Sequence, residues 1–163
     1  MSDNIILPQI ERLADLMQAH NYVLATAESC TGGGISQEVT GISGSSAWFD
    51  RGFVTYSNEA KQEMLSVPLD VLERFGAVSE ECARAMVEGA LAHSHADVAV
   101  SVTGIAGPGG GSEEKPVGTV CFGWAVRNKA ARSTRLVFEG DRHDIRKQTI
   151  LMALQGLLDL LED

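Results

Sequence analysis

Twice in this sequence a short apolar run opens directly into glycines. Tyr22-Val23-Leu24-Ala25-Thr26 leads into Ala27-Glu28-Ser29-Cys30-Thr31-Gly32-Gly33-Gly34. Asp97-Val98-Ala99-Val100-Ser101-Val102 leads into Thr103-Gly104-Ile105-Ala106-Gly107-Pro108-Gly109-Gly110-Gly111-Ser112. Runs of this kind suit the buried strands of an α/β protein. The loop between a strand's carboxyl end and the next helix is where such proteins bind ligands, because backbone N–H groups point outward there. Two such loops in one chain are hard to explain as ordinary turns.

The remaining segments fit the same architecture. Ile10, Leu13, Ala14 and Met17 predict an amphipathic helix over about 8–20, with Pro8 in its first turn. Residues 34–40 predict a helix leaving the first loop, and 48–56 a strand in which Gly52 marks a bulge. Ser57 or Asn58 caps a helix to Leu65, 69–75 is a short helix or turn, and Ser79 caps a helix over about 80–91. Residues 116–126 and 133–138 read as a hairpin across Arg127-Asn128-Lys129, so the sheet is expected to be mixed. A long helix from Asp141 to Leu161 closes the chain. The order predicts an α/β fold, a three-layer α/β/α sandwich with a mixed central sheet, and at 163 residues one domain spanning 1–163.

Charge and cysteine content narrow the function. A formal net charge of −9 opposes binding to nucleic acid or to an anionic membrane, while leaving room for a local basic pocket. Cys30, Cys82 and Cys121 are odd in number and contain no Cys-x-x-Cys pair, and the first residues carry neither a basic start nor a long apolar run. Both features predict a cytoplasmic protein. No window approaches the length of a membrane span.

The second glycine loop lacks the Gly-Lys-Ser/Thr ending of a phosphate-binding loop, and Gly32-Gly33-Gly34 misses the dinucleotide spacing. His20, His93, His95 and His143 form no metal-ligand pattern, so no metal and no cofactor are expected. What remains is nucleophilic catalysis without histidine. Ser29 stands at a sharp turn ahead of glycine N–H donors, the setting in which a hydroxyl is exposed and an oxyanion meets backbone dipoles. Cys30 is the competing nucleophile. Lys61 serves as the base if folding brings the start of its helix to the first loop and depresses its pKa; otherwise it is a solvated surface lysine. Tyr56 would relay or hold the proton, or merely pack.

Ala27-Glu28-Ser29-Cys30-Thr31-Gly32-Gly33, Gly44-Ser45-Ser46, Gly52-Phe53-Val54-Thr55-Tyr56-Ser57-Asn58-Glu59-Ala60-Lys61, Gly76-Ala77-Val78-Ser79, Thr103 to Gly110 and Lys115-Pro116-Val117-Gly118 occur in one order along the chain. Together they resemble the CinA carboxyl-terminal domain family over about residues 7–160. The resemblance implies a free-standing amidohydrolase that converts nicotinamide mononucleotide to nicotinate mononucleotide and ammonia. By it, Ser29 is the nucleophile, Lys61 its base and Tyr56 a member of the same catalytic group. Substrate contacts fall on Glu28, Thr31, Gly32 and Gly33, on Thr103, Gly104, Gly107 and Gly109, and on Arg142, with Arg146 a second candidate for the phosphate. Gly34 departs from the family, which often carries a bulkier apolar residue there. The expected partner is a small pyridine mononucleotide, and a homo-oligomer, a dimer, is expected. The alternative is a pyridine-nucleotide-sensing or competence-associated interaction domain, which would bind nucleotide without turnover.

Overall fold

A computed structural model describes the backbone of residues 2–162 and the side chains of 5–162. Five strands form one sheet in the order β2-β1-β3-β4-β5: β1 Leu24–Glu28, β2 Phe49–Val54, β3 Val98–Gly104, β4 Thr119–Val126 and β5 Arg132–Val137. The first three run parallel and the last two antiparallel, so the sheet is mixed as the hairpin predicted.

Side-chain alternation along the strands separates two cores. Leu24, Val98, Val100, Val102, Val120, Phe122 and Trp124 point to one face. There they meet α1 (Ser2–His20), α2 (Gly34–Thr40) and α6 (Arg142–Glu162). The opposite face is made of Ala25, Ala27, Ala99 and Ala125. These small side chains let α5 (Glu80–Ala92) lie close to the sheet, with α3 (Asn58–Leu65) and α4 (Leu69–Phe75) beside it. Ser101 on that face donates to the Ala83 carbonyl of α5 at 2.6 Å. Helices on both faces of one sheet complete the three-layer sandwich.

Several element boundaries differ from the sequence reading. Pro8 lies inside α1, which starts at Ser2. Pro8 lacks the N–H for the residue-4 carbonyl, and the buried stripe Ile6, Ile10, Leu13 and Met17 offsets that loss. β2 stops at Val54, so Tyr56 stands beyond the strand, and β4 begins at Thr119 rather than 116. α2, by contrast, begins at Gly34, where the helix over 34–40 was expected to begin.

The caps follow their residue types. Ser57 accepts from Ala60 N–H, and Ser79 from Cys82 N–H. At α6 the Asp141 carboxylate accepts from Asp144 N–H at 2.9 Å while Asp144 accepts from Asp141 N–H at 3.1 Å, a reciprocal box.

Topology places the site. From β1 the chain crosses by α2 to β2 on one side, and returns by α3, α4 and α5 to β3 on the other. The carboxyl ends of β1 and β3 are therefore neighbours at a switch point, with Glu28 level with Val102. Both glycine-rich loops leave the sheet there, side by side.

Candidate active site

The first loop is held from beneath by Glu28, the last residue of β1. Its carboxylate is fully buried and accepts from Thr31 Oγ1 at 2.6 Å, from the amides of Ile35 and Ser36 at 2.9 Å each, and from Ser36 Oγ at 2.7 Å. A buried carboxylate is tolerated only with such a set of donors, and here two come from the unpaired first turn of α2. Gly33 precedes that turn at φ 100, a backbone conformation that glycine adopts without strain. From the other side Arg146 of α6 donates through Nε to the Cys30 carbonyl at 3.1 Å and through Nη2 to the Thr31 carbonyl at 2.9 Å. Glu28, Thr31 and Arg146 thus fix the loop, and none of them lines the cleft described next.

That cleft, of ≈ 230 Å³, is lined by Ser29, Cys30, Tyr56, Asn58, Lys61, Ala77, Val78, Thr103, Gly104, Ala106 and Arg142. At its base Lys61 is 1% exposed, and its Nζ donates to Ser29 Oγ at 3.1 Å, to the Thr55 carbonyl at 3.0 Å and to the Tyr56 carbonyl at 3.1 Å. Lys61 is therefore no solvated surface lysine. Burial lowers its pKa, opposed by the Cys82 and Cys30 thiols. In the neutral form two N–H groups suffice for the two carbonyls, and the lone pair is then directed at the Ser29 hydroxyl. This is the geometry of a serine with a lysine base.

Cys30 is next in sequence but differs in chemistry. Burial pushes its thiol up to about 12, so at neutral pH it is not the thiolate that attack requires. Cys30→Ala is expected to keep catalytic activity within a few-fold, and the wild type is expected to resist thiol alkylation under native conditions. Rapid inactivation by an alkylating reagent, protected by substrate, would transfer the nucleophile to Cys30.

Tyr56 is 63% exposed at the mouth of the cleft. Its carbonyl, not its ring, touches Lys61, and its hydroxyl lies 3.5 Å from Arg142 Nη2. Arg142 also donates through Nη1 to the Gly107 carbonyl at 2.8 Å, so it ties the start of α6 to the second loop. Thr103 Oγ1 donates to the Ala77 carbonyl at 2.8 Å and leaves Gly104 at the cleft wall. Gly32, Gly33, Gly107 and Gly109 do not line the cleft. The amides of Ser29 and Gly32 are committed to the Val102 and Ser29 carbonyls at 3.1 Å each, so neither is free for an oxyanion. Asn58, Ala77, Val78 and Ala106 line the cleft and were not singled out in the sequence. Each lies inside one of the motifs that carry the family resemblance, which was the only signal available for them.

A larger groove of ≈ 690 Å³ runs past Leu65 of α3 and Ala85, Gly89 and Ala92 of α5, and shares no lining residue with the Ser29–Lys61 cleft. Among the described residues no three His, Cys, Asp or Glu side chains group as metal ligands, and no helix is long and apolar enough to cross a membrane.

The fold and cleft define an α/β protein that holds a buried hydroxyl–amine pair at the switch point of its sheet. Within that class the chain belongs to the CinA C-terminal domain family, whose profile matches residues 8–161. It is 49% identical over 157 residues to nicotinamide-nucleotide amidohydrolase PncC of Escherichia coli K12, covering 96% of this chain and 95% of that one. Identity to the protein of the same name from Pseudomonas putida is 50% over 149 residues, covering 91% and 92%. The crystal structure of the competence/damage inducible protein CihA from Agrobacterium tumefaciens superposes with a TM-score of 0.93 at 45% identity, covering 97% of this chain and 96% of that one.

Proposed function

We propose that this protein is a nicotinamide-nucleotide amidohydrolase that releases ammonia from nicotinamide mononucleotide through a serine nucleophile and a lysine base. The observation that carries the reading is the 3.1 Å contact between Lys61 Nζ and Ser29 Oγ inside the cleft. The near-full-length PncC relatives supply the substrate class.

Neutral Lys61 takes the Ser29 proton as Oγ attacks the carboxamide carbon. The oxyanion falls to amides of the first loop after the nucleophile, such as that of Thr31, or of the second loop at Gly104, which lines the cleft. Lys61 then gives its proton to the departing nitrogen, and ammonia leaves. Water then attacks the acyl-enzyme as Lys61 takes its proton, and Lys61 returns that proton to Ser29 Oγ as nicotinate mononucleotide leaves. The positive pyridinium ring makes the amide carbon more electrophilic throughout.

At ≈ 230 Å³ the cleft suits the nicotinamide end, against Ala77, Val78 and Ala106. Ribose and phosphate then extend to the mouth, where Arg142 and Tyr56 stand. Arg142 takes the phosphate because it lines the cleft, whereas Arg146 does not.

Ammonia release is measured with nicotinamide mononucleotide, nicotinamide and the dinucleotide. Turnover is expected with the mononucleotide above all, and nucleotide binding without turnover would instead leave a sensing domain. Arg142→Ala is expected to raise KM for the mononucleotide about 10–100-fold, the loss of one charge-assisted contact. An unchanged KM would move the phosphate elsewhere.

A further inference from the structure

The nucleophile loop has a second side. Behind it, away from Ser29, lies a cleft of ≈ 320 Å³ that includes Thr31, Gly34, Glu38, His143, Arg146 and Lys147, with Ile6 and Ile150 as apolar walls. It is larger than the catalytic cleft, and Arg142 is not part of it. Its cations outnumber its single acid, Glu38, in a chain whose net charge is −9. Lys147 is half-buried, and its Nζ makes no hydrogen bond or ion pair with any described residue. Arg146 uses Nε and Nη2 on the loop and leaves Nη1 uncommitted.

The Lys147 ammonium therefore has no protein acceptor beside it on this cleft wall. With a second guanidinium edge and an imidazole on the same wall, the missing partner is a compact anion with several acceptor oxygens. We propose that this cleft is a binding site for a phosphate-type anion, separate from the substrate cleft and joined to it through Arg146. The phosphate of a small metabolite and free inorganic phosphate share that chemistry. An occupant touching Arg146 is one guanidinium away from the Cys30 and Thr31 carbonyls, the first two after the nucleophile. Occupancy therefore braces the loop that carries Ser29. The proposal does not depend on which amide the enzyme hydrolyses.

The test is calorimetric titration of the full chain with inorganic phosphate at constant ionic strength, with sodium chloride as the control, on wild type, Arg142→Ala, Lys147→Glu and Lys147→Gln. Wild type and Arg142→Ala are expected to bind alike, with Lys147→Gln weaker and Lys147→Glu at least tenfold weaker. Phosphate is expected to raise the melting temperature of the first two but not of Lys147→Glu, whose own melting temperature without phosphate reports that it folds. Absence of phosphate binding to wild type overturns the proposal. So does binding that is lost in Arg142→Ala and kept in Lys147→Glu, which would place the anion in the substrate cleft. Ribose 5-phosphate titrated alongside separates the two sources, since a metabolite site prefers it to the free ion.

Discussion

Ser29→Ala is expected to lower kcat for ammonia release by about 10⁴-fold or more, in line with removal of a nucleophile that acts as one unit with its base, and to leave mononucleotide binding within a few-fold. Ser29 is buried at the base of the cleft, and its Oγ contacts Lys61 Nζ rather than any element of the core. Its amide bond to the Val102 carbonyl survives the substitution, so the loop stays in place. Calorimetric binding of the mononucleotide to the folded variant, beside an ammonia assay, separates the two quantities. Intact protein mass during wild-type turnover adds the chemical identity of the step: an acyl adduct on the peptide containing Ser29 is expected. Wild-type rates in folded Ser29→Ala, or hydrolysis by water with no adduct, would remove the serine from the mechanism.

Lys61 carries the second large effect, and its pH dependence is distinctive. Lys61→Met keeps the length of the side chain and loses the amine, so the rate falls by the contribution of proton transfer, about 10²–10⁴-fold, or further if serine and lysine act as a unit. Lys61→Arg is expected to fall as far, because a guanidinium does not deprotonate. In wild type, kcat/KM rises with pH as Lys61 loses its proton, and burial places that rise below the pH of an ordinary lysine. The stability effect has a definite sign. The folded pKa lies below the ordinary lysine value of 10.5, so between the two the unfolded chain binds the extra proton. Lys61 therefore penalises folding fully below its folded pKa, and the penalty fades as pH rises toward the unfolded value. The wild-type minus Lys61→Met difference in unfolding free energy, followed against pH, is expected to rise through that window. A difference that is flat with pH would mean an unshifted amine and would leave Ser29 without this base.

Much of the fold was legible because one-dimensional pattern and three-dimensional burial coincide for these elements. The runs before Glu28 and Thr103 are strands buried on both faces, and the stripes on α5 and α6 fall on the sides that pack. Pro8 misled because a proline inside a helix costs one hydrogen bond, a loss that packing of the apolar stripe outweighs and that local pattern does not reveal. Tyr56 misled in a similar way: its strand-forming type continued the β2 pattern past the point where the backbone turns to carry its carbonyl to Lys61.

Sequence alone determined the materials of the site: a hydroxyl beside a thiol at one strand end, a glycine loop at another, and a lysine one turn into a capped helix. It also determined the α/β class, because strand and helix periodicities are local properties. Tertiary structure decided which of these materials meet. Only the adjacency of β1 and β3 puts the two loops side by side, and only the crossing of α3 over that edge buries Lys61 against Ser29. It also divided the acids and arginines into those that hold the loop, Glu28 and Arg146, and the one that faces the cleft, Arg142. A charged side chain has the same local signature whether it braces a backbone or faces a cleft, since the difference lies in donors and acceptors brought from distant parts of the chain.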